Sequence, residues 1–161
     1  MILSKEIAEK KLRRMAMEVA ERNHNKESLI LIGIKENGIV IAEKIASLLK
    51  DIFPGHIDII WLSMDKKNPG EIVLSKEIRF TETNVILIDD VANSGRTMFY
   101  ALQPLLKDHP GQVETLALLE RTHKQFPIEL NYVGHSISTT KDEMIVVKVS
   151  GGEVEGAFFK S

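Results

Sequence analysis

The chain has 161 residues, 43% of them apolar and 27% charged, with a net charge of -2 and no cysteine. The length predicts a single domain spanning 1–161, since domains commonly hold about 100–200 residues. The missing thiols exclude disulfides, thiolate metal sites and cysteine nucleophiles, and they predict a cytoplasmic protein.

The near-balanced charge excludes a global field that draws the chain to nucleic acid or anionic lipid, so any RNA contact would need a local patch. The first residues, "MILSKEIAEKKLRRMAMEVAE", are charged throughout and lack the apolar stretch of a signal peptide. No segment approaches the ~18 uninterrupted apolar residues of a membrane span, and no membrane contact is expected.

Ala8, Leu12, Met15, Ala16 and Val19 recur at helical spacing and predict an amphipathic helix from Ser4, its cap, to Arg22. "ESLILIGI" (27–34) reads as a strand buried on both faces, broken by "KENG". Ile41, Ile45, Leu48 and Leu49 trace a second helix ending near Lys50, before Pro54 and Gly55. "HIDIIWLSM" (56–64) is a further strand, and "DKKNPGEIVLSK" (65–76), with Asn-Pro-Gly inside, predicts a mobile turn or hairpin.

"NVILIDD" (84–90) is the third aliphatic strand. Met98, Ala101, Leu102, Leu105 and Leu106 mark a third helix that Pro104 should kink or shorten. "VETLALLE" (113–120) is a fourth strand, with shorter candidates in "ELNYVGH" and "MIVVKV" before a Gly-rich end. Aliphatic strands alternating with helices predict an α/β fold with a mostly parallel central sheet. Ligands of such sheets bind beyond the carboxyl ends of the strands, where "KENG" and "DDVANSGRT" both fall.

"VILIDDVANSGRT" (85–97) joins two kinds of group. Gly95 lets successive amides turn toward one point, and a helix starting near it offers unpaired N–H groups and a positive dipole end to a phosphate. Ser94 and Thr97 add hydroxyls. The lysine of a triphosphate-binding P-loop and the dinucleotide G-x-G-x-x-G are both absent, so one terminal phosphate suits the loop best. Asp89 and Asp90 repel that phosphate but accept hydrogen bonds from vicinal hydroxyls, and they suit hydrated Mg²⁺. Ribose 5-phosphate satisfies both halves. The plainer reading is a solvated turn with Ser94 as a helix cap.

This stretch resembles the phosphoribosyl-pyrophosphate (PRPP) signature of type I phosphoribosyltransferases. The resemblance implies a three-layer fold with a small hood from terminal segments. It also implies Asp89 and Asp90 on the ribose, as the catalytic pair, and Val91, Ala92, Asn93, Ser94, Gly95, Arg96 and Thr97 around the 5-phosphate. Segments 21–46 and 116–149 are similar to the bifunctional pyrimidine-operon attenuator/uracil phosphoribosyltransferase branch. That implies transfer of ribose 5-phosphate from PRPP to a base, uracil favoured, with Mg²⁺ accompanying PRPP, UMP as product and a homodimer or larger assembly.

In this branch "GIKENG" corresponds to the pyrophosphate loop, which assigns Lys35, Glu36, Asn37 and Gly38 to pyrophosphate. The branch usually reads Lys-Thr-Arg-Gly there. Exchanging the arginine for Asn37 and adding Glu36 should weaken pyrophosphate binding. Leu62, Ser63, Met64 and Asp65 replace the usual Tyr-Arg-Asp-Asp of the closing loop, where Lys66, Lys67 and Lys76 offer substitute charge.

Arg121 falls near the base, and His123 and Lys124 match positions associated with RNA contact. "KKLRR" adds Lys10, Lys11, Arg13 and Arg14 as a second possible RNA surface; a solvated helix face is the alternative. Trp61 is expected in core or hood packing. Three rivals stand beside uracil transfer. The first is a purine phosphoribosyltransferase, whose hood would need an aromatic face from Tyr132, Phe158 or Phe159. The others are a nucleotide-sensing RNA attenuator with little catalysis and a small-molecule binding module.

Overall fold

A computed structural model describes residues 1–65, 67, 70–140 and 142–160. The first helix, α1 (Lys5–Arg22), begins where its cap predicts, with the Ser4 hydroxyl accepting from the Ile7 amide at 3.2 Å. Its five periodic apolar residues are all buried. A two-residue strand, β1 (Leu3–Ser4), precedes it. After β2 (Ser28–Ile34) come α2 (Asn37–Leu49), β3 (His56–Ser63), β4 (Val73–Leu74) and β5 (Asn84–Ala92). The remainder is α3 (Arg96–Ala101), α4 (Gln103–Leu106), β6 (Gln112–Arg121), β7 (Tyr132–Ile137), β8 (Met144–Ser150) and β9 (Glu153–Lys160).

Six strands form the central sheet in the order β4-β3-β2-β5-β6-β7, parallel except for β4 at one edge. Helices α1 and α2 cover one face, burying Leu12, Met15, Ile41 and Ile45 against Leu31, Ile86 and Leu118. On the other face α3 and α4 bury Met98, Ala101 and Leu105 with Phe80, Ile32 and Leu87. This is a three-layer α/β arrangement with a mostly parallel central sheet. The chain leaves β2 toward β3 and returns across it to β5, so the strand order reverses between β2 and β5. The crevice beyond that point is where parallel α/β sheets place ligands.

The predicted third helix is broken in two. Leu102 ends α3, and Pro104 sits in the first turn of α4, where its missing N–H costs nothing. Beyond the central sheet, β1, β9 and β8 form an antiparallel sheet built from both termini. It is held to α2 by the Lys44–Glu153 ion pair at 2.7 Å. The strand β9 went unread in "a Gly-rich end". Its signal is "VKVSGGEVEG", a Gly-Gly turn between two half-apolar runs, and both glycines carry positive φ.

Trp61 corrects the packing expectation: it is 42% exposed. Odd-numbered residues of β3 face the side of α2, but β3 lies outside β2 and the helix does not extend over Trp61. Tyr132 is fully buried, far from any aromatic platform. Its hydroxyl donates to Glu114 Oε1 at 2.8 Å, Asn23 Nδ2 donates to both, and Gln112 Nε2 donates to Asn23 Oδ1. Burial and the Glu114 carboxylate push the Tyr132 hydroxyl well above its ordinary pKa. No helix among the described residues is long and apolar enough to cross a membrane.

Candidate active site

The carboxyl ends of β2, β3 and β5 converge on one cleft of about 500 Å³, lined by Lys35, Glu36, Asn37, Ser63, Met64 and Asp90. The two unusual loops, "KENG" and "WLSM", therefore meet across the same acid. The Lys35–Glu36 peptide is cis, and the Lys35 amide donates to the Leu62 carbonyl at 2.8 Å, tying the two loops together. Lys35 and Glu36 are exposed, while Gly38 is buried against β5. A Cβ at Gly38 would stand 2.7 Å from the Ile88 carbonyl oxygen and 3.3 Å from Asp89 Oδ1. Only glycine lets α2 begin so close to the acidic pair.

The two aspartates differ. Asp89 is 1% exposed, and its Oδ1 accepts from the Asp90 amide at 2.8 Å. Asp90 is half-buried at the cleft wall: Oδ1 accepts from the Val91 amide at 2.7 Å and Oδ2 from Asn37 Nδ2 at 3.1 Å. Each carboxylate oxygen has two acceptor positions, so the bonds to Asp90 orient it and leave it capacity for ligand hydroxyls.

Immediately after them the chain turns into a recess of about 70 Å³, lined by Asp89 and by Val91 through Met98. Gly95 caps α3 with φ +88, the left-handed conformation expected of it. The Ser94 hydroxyl accepts from the Arg96 amide, and its carbonyl accepts from the Gln125 and Phe126 amides. The loop after β5 is thus braced by the segment following β6. A recess of this size suits an anion of a few heavy atoms. The guanidinium of Arg96 lies over the Tyr100 ring at 5.8 Å.

A third cavity, about 440 Å³, adjoins the loop between Asn93, Ser94, Arg121, Lys124 and Thr139. Arg121 donates Nη2 to the Glu143 carbonyl, and its Nε is buried without a hydrogen-bond partner among the described residues. A ligand acceptor entering here would meet a pre-desolvated guanidinium.

A family model for the phosphoribosyl transferase domain matches residues 1–150. The chain belongs to that family. It is 34% identical over 158 residues to the bifunctional protein PyrR of Bacillus cereus (strain AH820), covering 91% of this chain and 88% of that relative. The PyrR of Bacillus thuringiensis subsp. konkukian (strain 97-27) matches to the same extent. Among solved structures, hypoxanthine phosphoribosyltransferase of Trypanosoma cruzi superposes with a TM-score of 0.79 at 14% identity, covering 91% of this chain and 84% of that one. Hypoxanthine-guanine phosphoribosyltransferase of Bacillus anthracis gives 0.71 at 24% identity, covering 89% and 84%. Those two likenesses concern the phosphoribosyltransferase fold.

Not every expected site residue of this phosphoribosyltransferase gathers at the cleft. Lys76 lines a separate groove with Arg79, Pro104 and Lys107, so it does not replace charge beside Asp90. Lys67 is exposed, and Lys66, Asn68 and Pro69 lie outside the described residues. His123 is exposed, but Lys124 is half-buried, donating to Glu120 Oε1 at 2.6 Å and to the Arg121 carbonyl. Arg14 is spent on the edge strand, where Nη2 donates to the Val133 and Gly134 carbonyls, and it also pairs with Glu18. Arg13 is exposed and pairs loosely with Glu9 at 3.8 Å. Glu120 was missed; both its oxygens are engaged, one by Lys124 and the other by Ser136 at 2.9 Å. Nothing local in "LLER" signals that pairing across strands.

Proposed function

We propose that this protein transfers ribose 5-phosphate from PRPP to a nucleobase, with uracil as the acceptor and UMP and diphosphate as products. One observation carries the reading: an acid pair, a glycine-capped anion recess and a lysine-bearing loop stand side by side, in a member of the phosphoribosyltransferase family. In it Val91 to Thr97 take the 5-phosphate, Asp89 and Asp90 the ribose hydroxyls, and the Lys35–Gly38 loop, through the Lys35 side chain and its backbone amides, the diphosphate.

As the anomeric carbon–oxygen bond to diphosphate lengthens, positive charge grows on the ring. Carboxylates fixed on the sugar stabilise that charge, and the attacking base nitrogen completes the exchange without a covalent enzyme intermediate. Lys35 is the cation beside the departing diphosphate. Uracil is favoured by the resemblance of 21–46 and 116–149 to the uracil branch. In addition, among the described residues Tyr132, Phe158 and Phe159 do not line the three strand-end cavities. Arg121 is the residue proposed to face the base.

Mg²⁺ belongs to this proposal as a companion of PRPP. Among the described residues no group of three or more acids or histidines could cage a metal. Two adjacent carboxylates do fit an ion that keeps most of its waters and takes its remaining ligands from phosphate oxygens. Bound there, it would neutralise charge on the diphosphate, with Asp89 and Asp90 as its protein-side acceptors. RNA contact is the second reading: Arg13 and His123 are exposed, whereas Arg14 and Lys124 are engaged by protein oxygens. We propose a cytoplasmic homodimer or larger assembly, in keeping with the exposed Ile59, Trp61 and Val73, which share one face of the β3–β4 edge.

Incubation with PRPP, Mg²⁺ and a panel of bases tests the reaction. Diphosphate release and nucleotide formation are expected with uracil alone. Turnover with hypoxanthine or guanine instead would overturn the uracil assignment, and UMP binding without any turnover would point to a nucleotide sensor.

A further inference from the structure

Asn37 stands at the start of α2 and touches two elements far from it in sequence. Its side-chain amide donates to Asp90 Oδ2 at 3.1 Å and to the Val147 carbonyl of β8 at 2.9 Å. Both partners are acceptors, so only the NH₂ end of the side chain can face them, and its two hydrogens supply both bonds at once. Val147 is no loose surface point: it is 3% exposed, paired with Ala157 in the terminal sheet and packed into the core beneath α2. Asp90 Oδ1 is fixed separately by the Val91 amide. Asn37 therefore sets the remaining rotation of the Asp90 carboxylate and references it to the terminal sheet.

We propose that Asn37 is a positioning residue for sugar recognition: it holds Asp90 in its hydroxyl-accepting orientation and couples that orientation to strand β8. The proposal rests on the ribose role given to Asp90 above. The alternative use of Asn37, direct contact with diphosphate, requires its amide to leave both partners. A substitution at Asn37 should consequently be felt through the sugar, whereas a phosphate-contact residue would be felt through the phosphate.

The test compares UMP, UMP lacking both ribose hydroxyls (dideoxy-UMP) and inorganic phosphate by calorimetry, on wild type, Asn37→Ala and Asn37→Leu. Asn37→Leu keeps the size and removes the donors without adding a charge beside Asp90. Because affinities are compared as ratios within each protein, a partly folded variant still reports. Wild type should prefer UMP over dideoxy-UMP by about a hundredfold, the scale of two hydrogen bonds to charged groups. In both variants that preference should shrink to about tenfold, the Asp89 bond remaining, with phosphate affinity unchanged. UMP should also slow hydrogen exchange in β8 of wild type and not of the variants. An undiminished UMP preference in both variants, or a loss confined to phosphate affinity, overturns the proposal. A wild-type ratio near one would instead sink the ribose role of Asp90, and the proposal with it.

Discussion

Gly38 shows how tightly single residues are constrained at this site. The close approach of α2 to β5 places the Lys35–Asn37 loop across from Asp90, and any side chain at 38 must push against the Ile88 carbonyl, a backbone atom that cannot swing aside. Gly38→Ala should cost about 1–3 kcal/mol of stability, the usual range for overpacking, and it should weaken PRPP binding by displacing Asp89. Urea denaturation and calorimetry measure the two effects, and an Ala variant with wild-type stability and affinity would contradict the close-packed geometry. At this scale the sequence was legible wherever function is carried by consecutive residues. Gly95 could be assigned its left-handed turn from "NSGRT" alone. Asn37 could not be read as a partner of Asp90 and Val147, because its contacts lie 53 and 110 positions away. Trp61 was misplaced for a similar reason. Its apolar character says that burial is favourable, but whether a helix covers it depends on where β3 sits in the sheet.

Among the elements, the strand-loop-helix units were legible because buried parallel strands are continuous aliphatic runs and helices keep their period. The terminal sheet was harder, since its strands are edge-like, half-polar and paired through chain ends. Its attachment to α2 through Lys44 and Glu153 gives it a pH dependence. The Lys44 hydrogen bond, then the Lys44 charge, holds the Glu153 carboxyl below its ordinary value of 4.5. A depressed carboxyl stabilises the fold above that ordinary value, and the contribution is lost as pH falls through the lower folded value. Protection of β9 amides from hydrogen exchange should therefore drop on acidification below 4.5. Glu153→Gln should start with weaker protection at neutral pH and lose less of it. Parallel pH profiles for the two proteins would show that the ion pair does not anchor the sheet. The contact is half exposed, so the effect should also diminish in high salt.

For the whole molecule, the reversal of strand order between β2 and β5 brings separate loops to one crevice, and the terminal sheet closes over the same helix that begins there. The fold and the glycine turn after β5 could be read from sequence, while the mutual arrangement of cleft, recess and Arg121 cavity emerges only from the topology. The central claim is that Asp89 and Asp90 recognise a sugar while the following loop recognises its phosphate. Calorimetric titration of Mg²⁺-PRPP into wild type and the Asp89→Asn/Asp90→Asn double variant tests it most directly, with inorganic phosphate as the reference ligand. Amides keep the shape but exchange acceptors for donors and remove both charges. The account predicts a loss of PRPP affinity of about a hundredfold, the scale of two hydrogen bonds to charged groups, with phosphate binding retained. Unchanged PRPP affinity in the double variant would contradict it.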